Sequence, residues 1–160
     1  MLFIYRTAVN ILYPIIILFI YSRIWIKKED KKRYKEKLFS SSFAVRKSDK
    51  KKLIWFHVAS IGEFNSIRPI IHKLHKDNKF NFLITSITFS SAKLVEDEFL
   101  HDNRVTHRYL PIDKSSLAKK FLNSWSPNLA IFVDSEIWPN FIFEIKKNNI
   151  PLLLLNARIT

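Results

Sequence analysis

Cysteine is absent from the sequence, which removes a disulfide framework, a thiolate nucleophile and any cysteine-ligated metal. Glycine occurs once, at Gly62, against an average share of about 7%. One glycine cannot build the Gly-rich phosphate loops of the dinucleotide-binding or Walker type, which need several at fixed offsets. Acidic residues are scarce, 14 against 27 Lys and Arg, for a formal net charge of +13. The imbalance is local: residues 23–52 hold 13 basic and 4 acidic side chains, whereas residues 53–160 hold 13 and 10. A short basic segment beside a hydrophobic one favours an anionic membrane surface. Nucleic acid is not an expected partner, since it calls for basic residues spread over a folded face.

The 160 residues are 48% hydrophobic, enough for one domain with a core. A mean hydropathy of -0.04 leaves room for one membrane segment at most. Residues 1–26 read as a membrane-anchor helix. Between Arg6 and Arg23 lie 16 uncharged residues, close to the roughly 20 that span a bilayer. Arg6 and Arg23 can snorkel, and Tyr5, Tyr21 and Trp25 occupy interfacial positions. A spanning or deeply embedded helix is expected, with an amphipathic helix lying on the surface as the alternative. No small-residue cleavage site follows it, so a removed signal peptide fits poorly. Residues 27–52 read as a basic juxtamembrane linker, part solvated and part available to anionic lipid. The positive-inside rule keeps it cytoplasmic.

Residues 53–160 alternate between apolar runs and helical patterns. Strands are expected at 53–58, 80–85, 105–110, 128–133 and 151–155. Helices are expected at 64–76, 92–100 and 138–147, with a further one N-capped by Asp113. Pro139 fits the first turn of the last helix. Five strands alternating with four helices make an α/β, Rossmann-like, doubly wound parallel sheet. The runs at 128–133 and 151–155 are almost wholly apolar, as in strands covered on both faces.

Ligands of such sheets bind at the carboxyl ends of the strands. That edge collects Ser60, Gly62 and Glu63, then residues 86–91, Asp113, Asp134 with Glu136, and Arg158. Gly62 lies where the chain turns from strand to helix. Glu63 is either a first-turn carboxylate serving the helix dipole or a general base. Asp134 and Glu136 either cap the following helix or bind acceptor hydroxyls, and Arg158 forms a salt bridge or holds a phosphate. The five histidines form no convincing metal set, and His72 and His75 have no evident carboxylate companion.

Three stretches carry a resemblance to a known family. Trp55-Phe56-His57-Val58-Ala59-Ser60-Ile61-Gly62-Glu63 resembles an aromatic-rich strand ending in a serine, a hydrophobic residue and Gly-Glu. Asp134-Ser135-Glu136-Ile137-Trp138-Pro139-Asn140 resembles the signature Glu-Thr-Glu-Leu-Trp-Pro-Asn, and Asn156-Ala157-Arg158-Ile159 resembles Asn-Ala-Arg-Leu. Their order and spacing are those of the Kdo (3-deoxy-D-manno-octulosonic acid) transferases. The sequence departs from that pattern at Asp134, one methylene short, and at 86–91, which lacks a glycine.

The resemblance implies a GT-B glycosyltransferase that moves Kdo from CMP-Kdo to the lipid A precursor in lipopolysaccharide biosynthesis. It would do so on the cytoplasmic face of the bacterial inner membrane, with inversion and without metal or cofactor. By the same resemblance Glu63 is the general base, and Ser60, Gly62, Asp134, Glu136 and Arg158 serve acceptor binding or electrostatics. The family has two Rossmann-like domains, and the second binds the CMP-sugar. The expectation is therefore an N-terminal, acceptor-side half that needs a donor-binding domain, a separate donor-binding chain being one way to supply it and a sequence cut short of that domain another. The alternative is a non-catalytic, membrane-tethered lipid-acceptor-binding module or the remnant of a decayed gene.

Overall fold

The computed structural model describes residues 1–44, 51–134 and 137–156. Helix α1, Leu2–Trp25, is followed by a short helix α2, Lys35–Leu38, and a 3-10 turn at Ser40–Ser42. The body then runs β1 Lys52–Val58, α3 Ile61–His75, β2 Phe80–Ser86, α4 Phe89–Glu98, β3 Val105–Tyr109, α5 Ser115–Trp125, β4 Leu129–Val133, α6 Pro139–Lys147 and β5 Leu152–Leu155. All four strand pairings are parallel, in the order β3-β2-β1-β4-β5. This is the doubly wound, Rossmann-like sheet that the alternating pattern implies.

Side-chain alternation along β1 divides the core. Leu53 and Trp55 face one way and pack with Phe121 and Trp125 of α5 and Phe141 and Ile145 of α6. Ile54, Phe56 and Val58 face the other and pack with Phe64, Ile67 and Ile71 of α3 and Val95 of α4. The helix starts follow local chemistry. Ser60 caps α3 and Thr88 caps α4 through their hydroxyls, and Pro139 opens α6 where its missing N–H is no loss. Ser126, at φ 43°, ends α5 in the left-handed region.

Three features differ from the sequence reading. First, Asp113 does not cap α5, whose N-cap is Lys114 with no side-chain bond. Its carboxylate instead accepts from the backbone N–H groups of Asn140 and Phe141, each at 3.0 Å, and so caps α6 from 27 residues away. Second, residues 29–38 are not simply solvated. Glu29, Glu36, Lys37 and Leu38 are buried. Glu36 accepts from the Tyr109 N–H at 3.0 Å, and Arg33 donates to the His107 carbonyl at 3.0 Å. This strap covers the free edge of β3, where unpaired backbone groups would otherwise lie open. Third, β5 is apolar yet uncovered among the described residues, with Leu152, Leu153 and Leu154 36–49% exposed.

Candidate functional site

Strand order reverses direction between β1 and β4, so the crevice of an open sheet falls at their carboxyl ends. His57 sits beside Phe132 in that pairing, which carries the turn after β1 alongside the turn after β4. The sequence-predicted residues Ser60, Gly62, Glu63 and Asp134 are thereby gathered at one switch point. Glu136 and Arg158, the other two, lie outside the described residues, as does Ser135.

Ser60 and Glu63 form a variant of the capping box in which the carboxylate reaches back to the cap's hydroxyl and to the N–H of the residue before the cap. The Glu63 N–H donates to Ser60 Oγ at 3.2 Å, and the Ser60 hydroxyl donates to Glu63 Oε1 at 3.0 Å. Glu63 Oε2 accepts the Ala59 N–H at 2.7 Å. Both carboxylate oxygens are therefore held by the β1–α3 turn, while the side chain remains half-exposed at the crevice. Gly62 departs from expectation. Its φ is not positive, and a Cβ there would meet only Ser60 Oγ at 3.8 Å. The turn is made by the capping box and does not require glycine, so the absent side chain leaves open space above the turn.

Across the crevice Asp134 has φ 56°, a left-handed conformation that Asp tolerates better than most residues. Its N–H donates to the Leu155 carbonyl at 2.8 Å, tying the end of β4 to β5. Asn156 repeats the device at the end of β5, with φ 55°. Trp138 packs edge-on against His57, ring centroids 6.0 Å apart. His57 and Trp55 share one partner: Thr85 Oγ1 lies 3.0 Å from His57 Nδ1 and accepts the Trp55 indole N–H at 2.9 Å.

A cavity of about 540 Å³ lies beside this edge, between α1 and the loops that follow β2 and β3. Val9, Ile16 and Ile20 of α1 form one wall, and Leu110, Pro111 and Trp138 the other. Lys37 and Glu29 pair at one end, and Asp113 lies at another. Burial pushes the Lys37 ammonium below its ordinary value, opposed by Glu29. Burial likewise raises the Asp113 carboxyl, opposed by bonds from Asn140, Tyr5 and Phe141.

Sequence reasoning missed the role of Asp113 because its partners are remote. It also found no companions for His72 and His75. The fold brings Glu98 to 2.8 Å from His72 and pairs His75 with Asp102. Among the described residues no three His, Asp or Glu side chains group as a metal site.

Comparison with known proteins gives a consistent result. A family model described as 3-Deoxy-D-manno-octulosonic-acid transferase (kdotransferase) matches residues 32–160. The 3-deoxy-D-manno-octulosonic acid transferase of Rickettsia bellii is 40% identical over 153 residues, covering 94% of this chain and 35% of that protein. Its counterpart in Rickettsia prowazekii is 43% identical over 109 residues, 68% of this chain and 23% of the relative. A probable mitochondrial 3-deoxy-D-manno-octulosonic acid transferase of Arabidopsis thaliana is 34% identical over 109 residues, again 68% of this chain and 24% of the relative. The chain thus matches about a third or less of the length of these curated relatives.

Proposed function

The chain belongs to the 3-deoxy-D-manno-octulosonic acid (Kdo) transferase family, and on that premise we propose that it is the acceptor-side half of a glycosyltransferase using CMP-Kdo as donor and the lipid A precursor as acceptor. Glu63 is the general base. Its carboxylate takes the proton of an acceptor hydroxyl, and the freed oxygen attacks the anomeric carbon of Kdo. CMP leaves from the opposite face with the bonding electron pair, so configuration inverts without metal or cofactor. Gly62 leaves room for close approach, and Ser60 orients the base. Asp134, Glu136 and Arg158 hold or polarise the acceptor. The donor binds a second domain, and the work is done at the cytoplasmic face of the inner membrane, where α1 anchors the chain.

The observation that carries this reading is the position of Glu63: a carboxylate on the carboxyl edge, at the switch point, fixed by its own turn. An ionised carboxylate offers about four acceptor sites, so two remain for an incoming hydroxyl. The same capping box also favours a second reading. A glutamate whose oxygens both serve a helix N-terminus has a sufficient structural role, consistent with a non-catalytic acceptor-binding module.

Glu63→Gln separates the two. Gln supports a capping box as Glu does but is no base. Membranes carrying the full chain, supplied with a relative's donor-binding domain as a separate chain, are assayed for Kdo transfer from CMP-Kdo. Transfer by the unaltered chain, abolished by Glu63→Gln at unchanged stability, is the expected result. Transfer that survives Glu63→Gln refutes the base. No transfer by either, with lipid acceptor still bound, leaves the binding module as the better account.

A further inference from the structure

One helix carries two apolar faces. Along α1 the buried position Ile20 and the partly buried Leu2, Tyr5, Arg6, Val9, Tyr13, Ile16, Ile17, Arg23 and Ile24 form a stripe spaced three and four residues apart over the whole helix. Polar contacts to the domain occur at both ends. Near the start, the Tyr5 hydroxyl donates to Asp113 at 2.8 Å, and Arg6 donates to Asn140 at 2.8 Å and lies 3.8 Å from Glu144. In the middle, Tyr13 donates to the Leu38 carbonyl. Near the end, Arg23 pairs with Glu29 at 3.3 Å. The opposite face is apolar and open: Ile4, Ile11, Ile15 and Leu18 are 60–71% exposed and lie in one row.

Tyr5 and Arg23 are about 27 Å apart along the axis, nearly the roughly 30 Å of a bilayer's hydrocarbon core. A helix that crossed the bilayer with these contacts intact would carry Asp113, Asn140 and Glu144 to the far side. One that crossed after breaking them would take the Tyr5 hydroxyl from buried Asp113 and the Arg6 guanidinium from buried Glu144, and uncover the apolar cavity wall at Leu110, Pro111 and Trp138. Neither end can leave the domain cheaply.

Resting on the membrane-anchor reading above, we propose that α1 does not cross the bilayer. It lies in the membrane plane at the boundary of headgroups and acyl chains, its outer row immersed in one leaflet and its inner stripe on the domain. The occupant of the outer face is a leaflet containing anionic lipid. Exposed Lys27, Lys28, Lys31, Lys32 and Lys35 follow the helix directly, and Trp25, 92% exposed, stands at its end. The Thr7 and Ser22 hydroxyls on the outer side bond back to the carbonyls of Phe3 and Phe19, as they must where water is scarce.

Because the chain lacks cysteine, single substitutions Ile4→Cys, Ile11→Cys and Leu18→Cys can each carry one environment-sensitive fluorophore. The full chain is reconstituted with vesicles of phosphatidylcholine and phosphatidylglycerol, and label depth is read by quenchers attached to the lipid headgroup or the acyl-chain end. An in-plane helix places all three labels at one shallow depth. A spanning helix places Ile11→Cys near the midplane, with the other two shallow on opposite sides and about 21 Å apart, which overturns the proposal. Absence of lipid quenching at every position would instead refute the membrane reading on which it rests. With phosphatidylcholine alone, vesicle binding should weaken tenfold or more (on the order of a few basic contacts), and equal binding refutes the anionic partner.

Discussion

Removing the Asp113 carboxylate should loosen the fold more than any other single polar deletion near the crevice. Asp113 is 2% exposed and joins three elements, accepting from Asn140 and Phe141 at the start of α6 and from Tyr5 of α1. Asn140 and Phe141 are themselves fully buried, so in Asp113→Ala their N–H groups lose an acceptor where water does not reach. Each orphaned buried donor costs about 1–3 kcal/mol, and loss of an N-cap alone costs roughly 0.5–2 kcal/mol. Relief of the buried charge, which raises the Asp113 carboxyl, offsets part of this. The net expectation is about 2–4 kcal/mol, a large share of the 5–15 kcal/mol that holds a typical domain together. Asp113→Asn, with one acceptor oxygen for two N–H donors, should fall between. Tyr5→Phe should cost about 1 kcal/mol alone and almost nothing in the Asp113→Ala background, since the same bond is removed twice. Urea unfolding of the full chain in detergent, followed by the fluorescence of its four tryptophans, measures all four species. A loss below about 0.5 kcal/mol in Asp113→Ala, or full additivity with Tyr5→Phe, would refute the reasoning.

Stability should also fall with acid through His107. Burial and the Arg33 guanidinium push its imidazole down to about 3 from the ordinary 6.5. The unfolded chain therefore binds a proton that the fold rejects, and stability present above pH 6.5 is lost as pH falls towards 3. In His107→Gln the part of this loss due to His107 should vanish from unfolding curves taken across that range. Thr85→Val, nearly isosteric, leaves the Trp55 indole without its acceptor and His57 without a close hydroxyl. It should cost about 2–3 kcal/mol in urea unfolding, and Thr85→Ser should restore most of it. Glu63→Ala removes half a capping box and should cost about 1–2 kcal/mol, whereas Glu63→Gln should stay within about 0.5 kcal/mol. A melting comparison of the two separates the structural role from transfer.

Most of the sheet was readable because the strands are short apolar runs whose registers follow from side-chain alternation. All five expected strands start and end within a residue of those observed, and β3 ends one residue early, at Tyr109, because Leu110 already lines the cavity. Helix α4 begins three residues before the expected Ala92 because Thr88 caps it through the Ser91 N–H, a start hidden among several hydroxyls. The long-range hydrogen bonds of charged side chains to the backbone were not readable. Glu36 meets Tyr109 and Arg33 meets His107 across 73 and 74 residues, and composition alone makes the same side chains look like a solvated linker. Asp113 shows the limit most plainly: it stands where a cap is wanted, and the helix it caps is a different one. Glu63 was found by position and motif, yet its capping box shows that the position has a structural reason of its own.

The contacts of α1 also set an order in time. The helix is synthesised before its partners Asp113 and Asn140, which are 108 and 134 residues further along. At a synthesis rate of roughly 5–20 residues per second, Tyr5 and Arg6 wait on the order of 5–27 s for the groups they will bond. Throughout that interval both apolar faces of the helix are unmatched, not one. A lipid leaflet or a chaperone reached early can hold the helix until the sheet arrives to take back its inner face. The helix is thus first a temporary lodger in its surroundings and only afterwards a part of the fold.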